Sequence, residues 1–243
     1  MKKFLFILFC LVFCGCAHKF VMPENYEFKP VQNSKFNLAT WQKISNQNQP
    51  IHIYVEGDGH AFYANGAPTA DPTPRDSFVR NLVVNDSYKN VAYIARPCQF
   101  INDSNCDMSA WTNARFSTDA IDSLANTIKQ IAGTQPVILI GYSGGALATG
   151  LVIKQHPEIN IKKWITIAGI LNHHDWTTYF GDADLDKSQD MSSLPNVPQV
   201  HYVGDKDKIV PITLSQKWIA PKNMKIIPGA THNNFPNLNI DFE

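Results

Sequence analysis

Short apolar runs alternate with stretches of helical period along most of this chain. Ile51-His52-Ile53-Tyr54-Val55 is strand-like and ends in Glu56-Gly57-Asp58-Gly59. Val91–Ala95, Val137–Ile140, Trp164–Ala168, Val200–Val203 and Met224–Ile227 repeat the pattern. Val137-Ile138-Leu139-Ile140 is wholly apolar, as a parallel strand covered on both faces should be. Between the runs lie helical signals. Ser117-Thr118-Asp119 opens a segment that puts Ile121, Leu124, Ala125, Ile128 and Ile131 on one face, and Gly133 stops it. Ala146–Gln155 follows the third strand and is halted by Pro157, while Thr213–Ile219 follows the fifth with Pro211 near its start. Strand, helix, strand in repetition predicts an α/β domain: a mostly parallel central sheet with helices on both faces. Residues 170–196 break the rhythm. They hold His173, His174, Trp176, Tyr179 and Phe180, then a polar stretch with four Asp, and predict an irregular cap insertion over a pocket.

The N-terminus follows another rule. Lys2 and Lys3 precede an apolar run from Phe4 to Cys14. A membrane-spanning helix needs about 20 apolar residues, so this run is the length of a signal-peptide core. It ends in Phe13-Cys14-Gly15-Cys16-Ala17, which resembles a bacterial lipobox, with Phe13 where Leu is usual. That resemblance implies a signal over residues 1–15 and lipidation of Cys16; an ordinary cleaved signal or an uncleaved anchor is the alternative. Acyl chains on Cys16 would tether the protein to a membrane. The implied location is the bacterial cell envelope, lipid-anchored or periplasmic. Ala17, in place of the Asp associated with inner-membrane retention, favours the outer membrane. Residues 16–34, polar and carrying Pro23 and Pro30, are expected to be a tether, which leaves 35–243 as the domain.

Composition narrows the partners. Lys+Arg and Asp+Glu are equal at 21 each, and no basic run stands out, so no nucleic-acid partner is expected. Beyond the N-terminal cysteines only Cys98 and Cys106 remain. An exported chain with one such pair predicts a disulfide between them, two free thiols being the other possibility. Two isolated cysteines lack the further ligands zinc needs, and the adjacent His173 and His174 are expected to face apart, so no metal is expected. The oligomeric state is not legible.

Four short motifs carry chemistry. Gly141-Tyr142-Ser143-Gly144-Gly145 lies directly between an apolar strand and a helix, where a strained turn would lift Ser143 from the sheet edge and leave no room for Cβ atoms two residues either side. Amides opening the helix would favour negative charge there. Gly204-Asp205-Lys206-Asp207-Lys208-Ile209-Val210-Pro211 follows the fifth strand, and Pro228-Gly229-Ala230-Thr231-His232-Asn233 follows the last. Ser, Asp and His in that chain order, each after an apolar strand, together with Glu56-Gly57-Asp58-Gly59-His60, resemble the α/β-hydrolase superfamily.

The resemblance covers the chain from about residue 35 onward. It implies an α/β-hydrolase fold with Ser143 as nucleophile, His232 as base and Asp207, not Asp205, as the acid that orients it; Asp205 is expected to cap its turn. It also implies an oxyanion hole from the backbone N–H groups of Asp58 and Gly144, with Gly59 an alternate for the first. Glu56 stands where the superfamily often has His. The Asp58 carboxylate would oppose an oxyanion unless paired, and Arg75, Arg96 and Arg115 are the candidate partners. The implied activity is hydrolysis of a carboxylic ester, on a small-molecule acyl substrate and without a cofactor. A peptidase or acyltransferase with the same three residues, and a non-catalytic envelope lipoprotein that keeps the fold as a scaffold, are the alternatives.

Overall fold

The computed structural model describes residues 20–243; the expected signal and Cys16 lie outside the described residues. Among the described residues there are eight strands, β1 (Glu27–Phe28), β2 (Thr40–Ile44), β3 (Ile51–Val55), β4 (Asn90–Ile94), β5 (Val137–Tyr142), β6 (Ile161–Ile167), β7 (Gln199–Gly204) and β8 (Met224–Ile227). They form one open sheet in the order β1-β2-β4-β3-β5-β6-β7-β8. β1 and β2 run antiparallel, and every pairing from β4 to β8 is parallel. The helices α1 (Phe78–Asn85), α2 (Thr118–Ala132), α3 (Gly144–Gln155), α4 (His173–Phe180) and α5 (Ile212–Trp218) alternate with the later strands.

Strand alternation sorts the core into two layers. Ile51, Ile53 and Val55 join Leu124, Ile128, Leu147 and Leu151 of α2 and α3 on one face. Tyr54 joins Val79 and Val83 of α1 on the other. The chain therefore leaves β3 toward one face and β5 toward the opposite one, although β3 and β5 are hydrogen-bonded neighbours. Such a reversal opens a crevice at the carboxyl ends of the two strands, the usual binding position in an open α/β sheet. α2 follows its sequence signals closely. The Ser117 side chain accepts from the Ala120 N–H, and Gly133 ends the helix at φ 56°. Cys98 and Cys106 are joined by a disulfide, as expected.

Two expectations are corrected and one helix is added. Part of the expected tether is fold: Tyr26 is buried with its hydroxyl donating to Val83 O at 2.7 Å, β1 pairs with β2, and Val31 bridges to Leu38. A two-residue exposed strand has no apolar period to read, so its register comes only from its partner. α1 is also unannounced, because Ser77 makes no side-chain cap and Val79 and Val83 are poor helix formers that packing overrides. Residues 170–196 are not irregular throughout. Asn172 caps α4 by accepting from the Asp175 N–H, and the remainder is pinned along α2 and α3. Gln189 N–H donates to Phe116 O at 3.0 Å, and Lys154 Nζ to Ser193 O at 3.0 Å.

Candidate active site

β5 delivers the chain to Ser143, which turns into α3 at φ 51° and ψ −123°. That conformation costs a side-chain-bearing residue about 1–3 kcal/mol and persists only where its surroundings impose it. The surroundings are tight. A Cβ on Gly141 would lie 2.5 Å from Gly145 O and 2.6 Å from Thr149 Oγ1, and a Cβ on Gly145 would lie 2.5 Å from Glu56 O. Both positions therefore exclude any side chain. Main-chain bonds hold the turn: Ser143 N–H donates to Ile167 O at 3.1 Å, and Ser143 O accepts from Ile170 N–H at 3.0 Å.

Asp207 and His232 come to Ser143 on the loops after β7 and β8. Asp207 Oδ1 accepts from the Ile209 and Val210 N–H groups at 2.8 and 2.9 Å. That leaves Oδ2 free for His232 Nδ1, 2.9 Å away. His232 Nε2 lies 3.0 Å from Ser143 Oγ. In place of the expected cap on its own turn, the Asp205 carboxylate bonds across loops among the described residues: Oδ1 accepts from the Gly229 N–H at 2.7 Å, stapling the Asp207 loop to the His232 loop. Tyr142, beside Ser143, donates its hydroxyl to His232 O at 3.2 Å.

The loop after β3 reaches the same place. A Cβ on Gly57 would fall 2.9 Å from Ser143 Cβ, and one on Gly144 would fall 2.1 Å from Asp58 Oδ1. Among the described residues the N–H groups of Asp58 and Gly144 have no hydrogen-bond acceptor in the protein. Glu56 turns away from Ser143. It is buried, accepts from Tyr93 Oη–H at 2.7 Å and from Gly57 N–H at 3.1 Å, and burial pushes its pKa up to about 7. The Asp58 carboxylate is paired: Oδ2 lies 3.0 Å from Arg115 Nε and Oδ1 3.6 Å from Arg96 Nη1. Arg75 is exposed and lines a cleft of about 1180 Å³ with Phe28, Trp41, Arg80 and Phe100, which Ser143 does not line.

One contributor went unnoticed in the sequence. Gln99, buried in the turn after β4, donates to Gly57 O at 3.0 Å and accepts from Arg96 N–H at 3.0 Å, so it ties the two turns together. A glutamine after a strand carries no local signal of that task. Around the rim, Trp176 Nε1–H donates to Ile209 O at 2.7 Å, which braces α4 on the Asp207 turn. His173 is buried, stacks on Phe116 at 6.0 Å, and has its pKa pulled down by burial, while exposed His174 pairs with Asp184 at 3.1 Å. Among the described residues no group of three His, Cys, Asp or Glu side chains is placed to hold a metal ion.

The arrangement can pass a proton from Ser143 Oγ through the His232 ring toward a fixed carboxylate, beside two unpaired amides. A family model described as serine hydrolase (FSH1) matches residues 78–224, more than half of the chain. That span includes Ser143 and Asp207 but neither the Glu56–Gly59 turn nor His232. No curated protein sequence matches the chain. Among solved structures, an α/β serine hydrolase without a lid from Xanthomonas campestris is similar at TM-score 0.53 and 14% identity, covering 88% of each chain. A serine hydrolase homologue from Coxiella burnetii is similar at 0.52 and 15%, over 88% of this chain and 92% of its own. Est1E from Butyrivibrio proteoclasticus is similar at 0.55 and 14%, over 86% and 91%. At these identities the likeness establishes the fold, which is the α/β-hydrolase fold.

Proposed function

The chain belongs to the serine hydrolase (FSH1) family, and on that premise we propose that it cleaves a carboxylic ester of small or medium size through an acyl-enzyme on Ser143. The observation that carries the reading is the continuous contact from Ser143 Oγ to His232 Nε2 at 3.0 Å and from His232 Nδ1 to Asp207 Oδ2 at 2.9 Å. In the first step Ser143 Oγ bonds to the ester carbonyl carbon while His232 Nε2 takes the hydroxyl proton. Asp207 holds the imidazole with Nδ1–H donating and stabilises the imidazolium that forms. The amides of Asp58 and Gly144 hold the tetrahedral oxygen. The bond to the alcohol then breaks as His232 returns the proton to it, and water releases the acyl group as the acid by the same route. The unpaired amides and the close approach of Gly57 to Ser143 support this assignment. As part of the same proposal, an acylated Cys16 keeps the protein on the bacterial envelope; Cys16→Ser should abolish palmitate labelling and detergent partitioning.

The test is fluorophosphonate labelling of the purified mature domain, beside Ser143→Ala and His232→Ala, followed by esters of graded acyl length and matched amides. Labelling lost in Ser143→Ala, with esters turned over faster than amides, supports the reading. A folded wild type that takes no label overturns it, and faster amide cleavage would move the chain to the peptidases.

A further inference from the structure

A carboxylate beside an oxyanion hole is costly unless something cancels it. Asp58 is such a carboxylate, because its Oδ1 occupies the place where a side chain on Gly144 would begin, 2.1 Å from the Cβ position. Gly144 is therefore glycine for a reason unlike that of Gly141 and Gly145: it makes room for Asp58, not for backbone. Two arginines hold that carboxylate in place. Arg115 Nε is 3.0 Å from Oδ2 and Arg96 Nη1 is 3.6 Å from Oδ1, and both arginines are about 95% buried, at 5% exposure each. Their other contacts fix them to main chain. Arg96 Nη2 donates to Arg115 O, and Arg115 Nη1 donates to Thr112 O at 3.0 Å. Both guanidiniums also lie against the Phe116 ring, at 4.9 and 5.6 Å.

We propose that Arg96 and Arg115 are positioning residues for the oxyanion loop, clamping Asp58 over Gly144 so that both amides stay aimed at one point and leaving one net positive charge beside it. The charge sum is what matters. Two guanidiniums and one carboxylate give +1, so a carboxylate that alone would oppose the developing oxyanion becomes part of a cluster that favours it. Burial, and after it the Arg115 charge, pull Arg96 down to about 10 against the pull of Asp58, which leaves it charged at neutral pH. The geometry also explains the charge contacts left without hydrogen-bond geometry: Asp58 Oδ1, Arg96 Nη1 and Arg115 Nε have none, so they are held by charge and packing.

The inference rests on the serine-hydrolase reading of Ser143, and the experiment separates the two. kcat and KM for a neutral short-chain p-nitrophenyl ester are measured for wild type, Arg115→Met, Arg115→Lys and the double variant Asp58→Asn/Arg115→Met, with thermal melting as the folding check. Arg115→Met brings the cluster to zero charge and should lower kcat about 30- to 100-fold, with KM changed less than threefold. Arg115→Lys keeps the charge and should stay within about tenfold of wild type. The double variant returns the cluster to +1 and should recover at least tenfold over Arg115→Met, a gain that a merely structural role would not produce. Arg115→Gln replaces Arg115→Met if the latter does not fold. Unchanged kcat in the neutral variant, a double variant no faster than the single one, or an effect confined to KM each overturns the inference. A wild type that turns over no ester overturns the underlying reading instead.

Discussion

Among the described residues, two histidine–carboxylate pairs make nearly the same contact in different settings. His232 Nδ1 lies 2.9 Å from Asp207 Oδ2, and His52 Nδ1 lies 2.8 Å from Asp86 Oδ2. The first stands past the carboxyl ends of the strands, with Ser143 Oγ on its second nitrogen. The second stands near the start of β3, stacked between Tyr88 and Phe242 at 4.1 Å each, and its Nε2 has no hydrogen-bond partner among the described residues. Asp86 is shared with the hydroxyl of Tyr54, which donates to Oδ2 at 2.9 Å. A histidine against a carboxylate is thus a strut when rings close over it. The His232 pair differs in that its second nitrogen meets the Ser143 hydroxyl, 3.0 Å away.

Truncating each histidine should separate the two settings most strongly. His232→Ala should lower kcat by about 10⁴-fold or more with little change in melting. His52→Ala should leave kcat within about threefold and cost about 3 kcal/mol, because it strands a buried carboxylate; urea unfolding reads the second effect. An inactive but folded His52→Ala would end the distinction. The carboxylates should divide the same way: Asp207→Asn should lower kcat by about 10³- to 10⁴-fold, and Asp86→Asn should cost about 2 kcal/mol with kcat nearly unchanged.

Acid titration should also distinguish the buried carboxylates from the buried imidazoles. Burial alone would raise the Asp86 pKa, but the bonds from His52, Tyr88 N–H and Tyr54 outweigh it and hold it below the usual range. A depressed folded pKa stabilises above the unfolded value, so this contribution should vanish as pH falls below about 4. His201 has no carboxylate at all. It bonds Thr166 Oγ1 at 2.8 Å and Gln199 Oε1 at 2.9 Å, and burial pulls its pKa down to about 4. The unfolded chain binds more protons here between about pH 6.5 and 4, so the His201 contribution to stability should shrink by roughly 3 kcal/mol as pH falls across that window, and His201→Asn should remove that contribution from the unfolding series. Glu56 works in the opposite sense, by a comparable amount and over nearly the same window: its raised pKa, about 7, makes its contribution to stability decline as pH rises from about 4.5 to 7. Glu56→Gln should remove that decline in the same unfolding series.

The parallel half of the sheet is legible in local pattern, because buried strands such as Val137–Ile140 are apolar on both faces and helices such as α2 carry their own cap and stop. Local pattern also marked Ser143, Asp207 and His232, since tight turns at strand ends demand particular residues in short local patterns, and the structure places the His232 ring within hydrogen-bond reach of both other side chains. Other features lay in contacts between distant segments. β1 has two exposed residues and becomes a strand only against β2. Gln99 and Asp205 gain their tasks from loops far along the chain. Of three arginines that could have met Asp58, only packing separates buried Arg96 and Arg115 from exposed Arg75. Local pattern records what a segment needs from its own backbone, whereas the partner of a long charged side chain depends on which strands become neighbours, and the tertiary fold alone decides that.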